Sequence, residues 1–132
     1  MATAKKKTKK VTTSKKEVSV GKVFVRATFN NTLITVTDEK GDTLAWGSSG
    51  KSGFKGTRKS TPYAATTAVE NVIKKVRDEF GVKSVSVYLK GPGTGRDAAL
   101  RAIKSAGIRI DLIADVTPIP HNGPRARKKR RV

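Results

Sequence analysis

The basic residues of this 132-residue chain are concentrated at its two ends, where no acidic residue accompanies them. Residues 1–16 contain seven lysines and residues 118–132 contain six lysines and arginines, so +13 of the net charge of +19 lies at the ends. Segments with so many like charges cannot bury enough apolar surface to fold by themselves. We therefore predict one globular domain, residues 18–117, between basic arms of residues 1–17 and 118–132 that are disordered in the free protein.

This distribution of charge is typical of a protein that sits on a polyanion, and it predicts nucleic-acid binding. A lysine run alone also occurs as a nuclear localisation signal or a solvated tail. That interpretation does not account for the second arm at the other end of the chain.

The composition narrows the classes of protein further. The chain has no cysteine and one histidine, His121, which excludes disulfides, thiolate metal sites and paired histidine ligands. No apolar run is long enough to cross a bilayer, and the lysine-rich start lacks the apolar core of a signal peptide. We expect a soluble, intracellular protein with no cofactor, no metal ion and no membrane partner.

Apolar periodicity in the middle of the chain predicts five strands and two helices. Alternating apolar residues indicate strands near residues 23–29, 32–37, 44–46, 85–89 and 108–113. Thr61-Pro62 is a helix start and Gly81 a helix end. A second helix is predicted through residues 99–106, stopped by Gly107.

The resulting order, β-β-β-α-β-α-β, predicts an α/β fold. Strand–helix–strand connections are parallel and right-handed, so we expect a mixed five-stranded sheet covered by helices, with a ribonuclease H-like topology. Nucleases of that type hold two metal ions with clustered carboxylates. Here three acidic residues lie in one exposed turn: Asp38, Glu39 and Asp42. Three others are scattered among basic neighbours: Asp97, Asp111 and Asp115. We therefore predict no catalysis.

The first candidate binding segment is glycine-rich and basic, and spans residues 51–60. Glycines let backbone N–H groups approach phosphates closely, while Lys51, Lys55, Arg58 and Lys59 reach outward. Phe54 offers a face on which a base or ribose can stack. The alternative is a flexible connection with solvated lysines.

The second candidate lies between a strand and a helix and contains Gly91, Gly93, Gly95 and Arg96. Pro92 removes an N–H donor and Arg96 replaces the third glycine of a dinucleotide-binding loop. No Walker pattern occurs in the chain. We therefore predict a backbone cradle for an RNA phosphate, with Arg96 as its charged clamp.

The third candidate is the proline-rich segment, residues 118–125, which points the arginines of the C-terminal arm away from the body. His121 is interpreted as a packing or stacking residue, since no nucleophile is paired with it. The Asn122-Gly123 step is a candidate for modification, because the glycine nitrogen can attack the asparagine side-chain carbonyl and form a succinimide.

Three motifs together carry a resemblance to a known family: Phe29-Asn30-Asn31-Thr32, Gly91-Pro92-Gly93-Thr94-Gly95-Arg96 and Thr117-Pro118-Ile119-Pro120-His121-Asn122-Gly123. Over residues 18–132 the chain resembles the universal family of small-subunit ribosomal protein eleven. The resemblance implies a three-layer α/β/α fold without catalysis. It also implies binding to ribosomal RNA on the platform of the small subunit, in the cytoplasm.

The same resemblance implies particular surroundings in the ribosome. These are the messenger RNA path and the Shine–Dalgarno helix, ribosomal proteins seven and eighteen, and initiation factor three close by. The predicted ribosomal RNA contacts are Asn30, Asn31, Lys51, Lys55, Arg58, Lys59, Gly91, Gly93, Gly95, Arg96, His121, Asn122, Gly123, Arg125, Arg127, Lys128, Lys129, Arg130 and Arg131. The alternative function is a histone-like protein that binds DNA without sequence specificity.

Overall fold

The computed structural model describes residues 17–132. Its elements, in chain order, are β1 (Val20–Ala27), β2 (Thr32–Asp38), β3 (Thr43–Ser48), a 3₁₀-helix (Gly56–Ser60), α1 (Pro62–Phe80), β4 (Ser84–Lys90), α2 (Gly95–Ser105) and β5 (Arg109–Asp115). The α/β class and the predicted order of strands and helices are confirmed. Residues 1–16 of the predicted N-terminal arm lie outside the described residues.

The strands form one mixed sheet in the order β3-β2-β1-β4-β5. Strand β1 pairs antiparallel with β2 and parallel with β4. Strand β3 is antiparallel to β2, and β5 is parallel to β4. The strands β1, β3, β4 and β5 consequently run in the same direction, and their carboxyl ends lie at one end of the sheet.

Both helices lie on the same face of this sheet. Helix α1 contacts β2 and β3, α2 contacts β1 and β5, and the two helices pack against each other. The connections β3–α1–β4 and β4–α2–β5 advance across the sheet in the same direction, so right-handed crossovers place both helices on one side. The third layer expected from the sequence is not formed by residues 17–132, and the other face of the sheet is open.

Helix α1 begins and ends where its sequence predicts. The Thr61 side chain accepts a hydrogen bond from the Ala64 N–H at 3.3 Å, and Pro62 occupies the first turn. Gly81 has a left-handed φ of 67° and closes the helix. Helix α2 begins earlier than predicted, at Gly95, because the glycine-rich loop turns directly into the helix.

The core lies between the sheet and the two helices. It is built of valine, isoleucine, leucine and alanine, and its fully buried members include Val23, Val25, Ile34, Val36, Val69, Ile73, Val76, Val85, Val87 and Ile103. Each such side chain contributes roughly 1.5–3 kcal/mol by leaving water. Alternate residues of β1 and β4, and of most of β2, are buried in this core, so the residues between them face the open side.

Candidate nucleic-acid interface

Four segments with predicted binding residues meet at one end of the sheet. Residues 28–31 follow β1, residues 49–61 follow β3, residues 91–94 follow β4 and residues 116–124 follow β5. Hydrogen bonds join these segments: the Ser49 N–H donates to Thr32 O at 3.1 Å, and the Thr94 hydroxyl donates to Ser60 O at 2.8 Å. We call this surface the loop end.

The turn between β1 and β2 is held by its own side chains. The Thr28 hydroxyl oxygen accepts from the Asn31 N–H at 3.1 Å, and the Asn31 side chain accepts from the Thr32 N–H at 2.9 Å. Phe29 is 74% exposed and Asn30 is also exposed. Asn31 therefore shapes the turn, whereas Phe29 and Asn30 are presented to solvent.

The glycines that follow β4 are packed against the β1–β2 turn. A Cβ atom on Gly91 would overlap the carbonyl oxygen of Ala27, and one on Gly93 would lie 2.7 Å from the Ala27 carbonyl carbon. The Gly93 N–H donates to Ala27 O at 2.9 Å, and the Gly91 N–H donates to the Thr117 hydroxyl at 3.1 Å. Two amides of the predicted phosphate cradle thus have partners inside the protein.

The predicted clamp, Arg96, also has hydrogen-bond partners inside the protein. Its guanidinium donates to Gly91 O at 2.9 Å and to the Asp115 carboxylate at 2.8 Å. Arg96 therefore forms a bracket that ties the loop after β4 to the end of β5. Contact of Gly91, Gly93, Gly95 and Arg96 with RNA stays a prediction.

Asp115 fixes the point at which the C-terminal arm leaves the domain. Its carboxylate accepts from the hydroxyl and the N–H of Thr117, at 2.6 and 3.0 Å. These bonds, together with Arg96, hold the pKa of Asp115 well below its usual range. The Val116 N–H also donates to Leu89 O at 2.8 Å, so the arm starts beside the loop after β4.

We expect Asp115 to add to the acid sensitivity of the fold. Its pKa is lower in the folded than in the unfolded chain, where it is about 3.9, so its contribution is complete above that value and is lost as the pH falls towards the folded value. Asp115→Asn should lower stability at neutral pH and flatten the pH dependence of the unfolding free energy below about pH 5.

Urea unfolding across this pH range measures the effect. Glu39→Gln, which neutralises an exposed carboxylate in the β2–β3 turn, is the matched control. An unchanged pH dependence in Asp115→Asn would show that the bracket does not stabilise the fold.

The glycine-rich basic segment contains one short helix. Residues Gly56–Ser60 form a 3₁₀-helix, with Arg58 exposed on it and Lys59 half-buried. A cavity of about 360 Å³ is lined by Ser52, Gly53, Phe54, Lys55 and Arg58. This arrangement gives an anionic ligand one aromatic face and two cations.

Two exposed aromatic residues flank this segment, Trp46 in β3 and Tyr63 in the first turn of α1, and the sequence interpretation did not assign them to binding. Tyr63 is 72% exposed and packs edge-on against Phe54, with ring centroids 5.8 Å apart. Trp46 is 56% exposed, and the Lys51 ammonium group lies 4.1 Å from the centroid of its ring. Tyr63 stands outside the apolar pattern of α1, which is the signal that identifies it in the sequence, whereas Trp46 is exposed although it belongs to the apolar pattern of its strand.

The described C-terminal arm is irregular and exposed. Residues 116–132 contain neither helix nor strand, and all the predicted contacts in it are exposed: His121, Asn122, Gly123, Arg125, Arg127, Lys128, Lys129, Arg130 and Arg131. Asn122 has a left-handed φ of 56°, which no other non-glycine residue in the described part of the chain adopts.

Two further findings concern other classes of site. Within residues 17–132, no three His, Asp or Glu side chains lie together in a way that could hold a metal ion. In the same part of the chain, neither helix has the length and apolar character needed to cross a membrane.

Comparison with known proteins identifies the family. The family model for ribosomal protein S11 matches residues 21–131. The chain belongs to the ribosomal protein S11 family. A small ribosomal subunit protein uS11 from Nitratidesulfovibrio vulgaris is 53% identical over 132 residues, which is the whole of both chains. One from Desulfovibrio desulfuricans is 54% identical over the whole of both chains. One from Borreliella burgdorferi is 56% identical over 118 residues, 89% of this chain and 90% of the relative.

Family membership decides between the classes of function left open by the sequence. The chain is a ribosomal protein of the small subunit, a structural component of a ribonucleoprotein and not an enzyme. The resemblance carried by the three motifs is thereby confirmed.

Proposed function

We propose that the protein binds small-subunit ribosomal RNA through its loop end and its two arms, and that it helps to shape the platform beside the messenger RNA path near the Shine–Dalgarno helix. The observation that carries this proposal is the hydrogen bond between the Gly91 N–H and the Thr117 hydroxyl. It joins the root of the C-terminal arm to the loop end, so the six cations of the arm leave from the surface that also presents Lys55 and Arg58.

Different parts of this surface have different tasks. Exposed cations of the loop end, Lys55 and Arg58, bind phosphates, which supply most of the affinity of basic proteins for nucleic acid. Exposed Asn30 and Phe29 reach bases or riboses in single-stranded RNA. The bracket of Gly91, Arg96 and Asp115 keeps these groups in a fixed arrangement.

The arms extend the contact beyond the folded domain. His121, Asn122 and Gly123 form the exposed connection from which the arginines and lysines of residues 125–131 reach further phosphates. The ribosomal neighbours in this proposal are proteins seven and eighteen, with initiation factor three close by and the assembled particle in the cytoplasm. Support for these neighbours comes from the family motifs at residues 29–32, 91–96 and 117–123.

Footprinting on small-subunit ribosomal RNA tests the proposal. Addition of the protein should protect a confined set of nucleotides from hydroxyl radicals, and Arg58→Gln with Lys55→Gln should weaken that protection. Sedimentation of a lysate treated with DNase separates the histone-like alternative, since a ribosomal protein stays with small subunits and a DNA-binding protein does not. Protection spread evenly along the RNA would contradict a defined binding site.

Asn122 provides a chemical test of the connection to the arm. Attack of the Gly123 nitrogen on the Asn122 side-chain carbonyl releases ammonia and forms a succinimide, which water opens to aspartate or isoaspartate. We expect this conversion in the free protein, because the step is exposed and outside regular structure. The added negative charge should weaken phosphate binding by the arm.

Peptide mass spectrometry on aged free protein and on purified subunits measures the conversion. Modification confined to the free protein identifies it as damage, and near-complete isoaspartate in subunits identifies it as part of the assembled structure. An intact amide in both samples contradicts the prediction. Asn122→Gln, whose longer side chain forms the cyclic intermediate poorly, is the control.

A further inference from the structure

The face of the sheet opposite the helices is open and rich in exposed apolar groups. Phe24 is 42% exposed, Leu33 40%, Trp46 56% and Leu112 48%. Parallel strands such as β1, β4 and β5 are normally covered on both faces. An open face of this kind in a protein that works inside a large assembly indicates a contact surface.

The strand register aligns the aromatic residues of this face in one row. Trp46 of β3 is paired with Thr35, Thr35 with Phe24, and Phe24 with Tyr88 of β4. The rings of Phe24 and Tyr88 are stacked, with centroids 5.2 Å apart and planes at 16°. From Trp46 to Tyr88 the row spans three interstrand spacings, roughly 14 Å.

Cations flank this row on the same face. Along β1, Lys22 and Arg26 stand on either side of Phe24, and Arg26 is paired in register with Lys90 of β4. Directly opposed like charges destabilise a sheet. No acidic residue occupies an open-face position in β1–β4 of the described chain, and Asp111, in the bulge of β5, already pairs with Arg109 at 2.6 Å.

This charge pattern decides what can cover the face. An apolar protein layer would have to bury Lys22 and Arg26 without partners, which is costly. A polyanion pairs with them and places its bases against the exposed faces of the rings. Arg26 and Lys90 also lie next to the loop end, since Ala27 and Gly91 follow them in the chain, so the open face continues the surface proposed to bind RNA.

We propose that the open face of the sheet binds a single-stranded segment of RNA, with bases stacked on the row of Trp46, Phe24 and Tyr88 and phosphates on Lys22, Arg26 and Lys90. The inference rests on the proposed function and assigns it a second surface, distinct from the loop end. Four-stranded sheets that present aromatic residues in this way stack two or three bases of single-stranded RNA. The length of the row suits that number.

The single tryptophan of the chain, Trp46, makes the proposal measurable. The full-length protein is titrated with a short unstructured oligoribonucleotide, and Trp46 fluorescence is followed. An abasic oligomer with the same number of phosphates is the matched ligand. The base-containing oligomer should quench the fluorescence and bind more tightly than the abasic one.

Two pairs of variants separate the sheet face from other surfaces. Phe24→Leu keeps an apolar side chain on the sheet but removes the ring, and should weaken binding roughly 5- to 150-fold, the range for loss of one stacked base. Ile113→Ala, which removes an exposed apolar side chain in register with core-facing Val87, should leave binding unchanged.

Arg26→Gln should reduce the salt dependence of the oligoribonucleotide affinity, whereas Arg101→Gln, exposed on α2, should not.

The outcomes distinguish this inference from the proposed function. The open face is not an RNA surface if three results occur together: ribosomal RNA footprints persist, Phe24→Leu binds the oligoribonucleotide as tightly as the unmodified protein, and the abasic oligomer binds as tightly as the base-containing one. The loop end is then the RNA-binding surface of the folded domain. If Phe24→Leu leaves RNA binding intact but prevents a neighbouring protein from joining the subunit, the face is a protein-docking surface and the inference is wrong. If no ribosomal RNA is protected by the unmodified protein, the proposed function itself fails.

Discussion

Gly93→Ala is expected to destabilise the domain by about 1–3 kcal/mol, the usual cost of overpacking a closely packed site. The new Cβ would overlap the carbonyl oxygen of Thr28 and lie 2.7 Å from the carbonyl carbon of Ala27. Both obstructing groups are backbone, so no side-chain rotation relieves the contact. For a domain of this size the melting temperature should fall by roughly 4–12 °C.

The same substitution should weaken RNA binding beyond what lost stability explains. Moving the loop after β4 away from Ala27 breaks the bond from the Gly93 N–H and displaces Gly91, which holds Thr117. The root of the C-terminal arm then loses its fixed position beside the loop end. Binding to small-subunit ribosomal RNA, measured well below the melting temperature, should therefore be weaker in the variant.

Gly50→Ala is the matched control for this experiment. Its Cβ would lie 3.4 Å from the Lys59 Cδ, in a long side chain that can move aside, so we expect little change in melting temperature or binding. Equal stability of Gly93→Ala and the unmodified protein would show that the loop does not need its close approach to Ala27.

The sequence predicts most of this fold because its signals are local. Alternating apolar residues identify the strands, and Thr61, Pro62 and Gly81 identify both ends of α1. Helix caps and the periodicity of apolar residues are properties of a few neighbouring residues, so they can be recognised without knowledge of distant contacts. The number of layers was not predicted correctly, because it depends on the direction in which each crossover moves across the sheet.

The binding site could be predicted only in part, because the contacts of its residues also depend on segments that are distant in the sequence. The glycines after β4 indicate a close approach by another group, and in the structure Gly91 and Gly93 lie close to Ala27 and Thr28, more than sixty residues earlier in the chain. Arg96 is similarly engaged by Asp115. A glycine or arginine pattern shows that something approaches closely, while the identity of that group depends on the tertiary structure.

The open-face row was missed because each of its residues belongs to a different strand. Phe24, Trp46 and Tyr88 are separated in sequence and are brought into one line only by the pairing of four strands. Polar–apolar alternation predicts that such residues point away from the core, but it does not reveal their alignment.

Deletion of residues 125–132 is expected to cause the largest loss of RNA affinity. The segment carries six exposed cations and no acidic residue. Each phosphate contact accounts for about 0.7–0.9 of the slope of log affinity against log salt. If all six cations meet phosphates, the slope should become shallower by roughly 4–5, and the loss of affinity should be greatest at low salt.

Matched charge substitutions distinguish specific contact from net charge. Arg125→Gln with Arg127→Gln removes two charges from the arm, and Lys74→Gln with Lys104→Gln removes two from exposed positions on α1 and α2. The arm variant should reduce the slope of log affinity against log salt by about 1.4–1.8. The helix variant should leave this slope nearly unchanged, because the helices lie on the face of the sheet opposite the one proposed to bind RNA. Equal effects of the two variants would mean that the arm contributes only to the overall field of the protein. An unchanged slope after deletion of the whole segment would show that its cations do not contact the phosphates of the bound RNA.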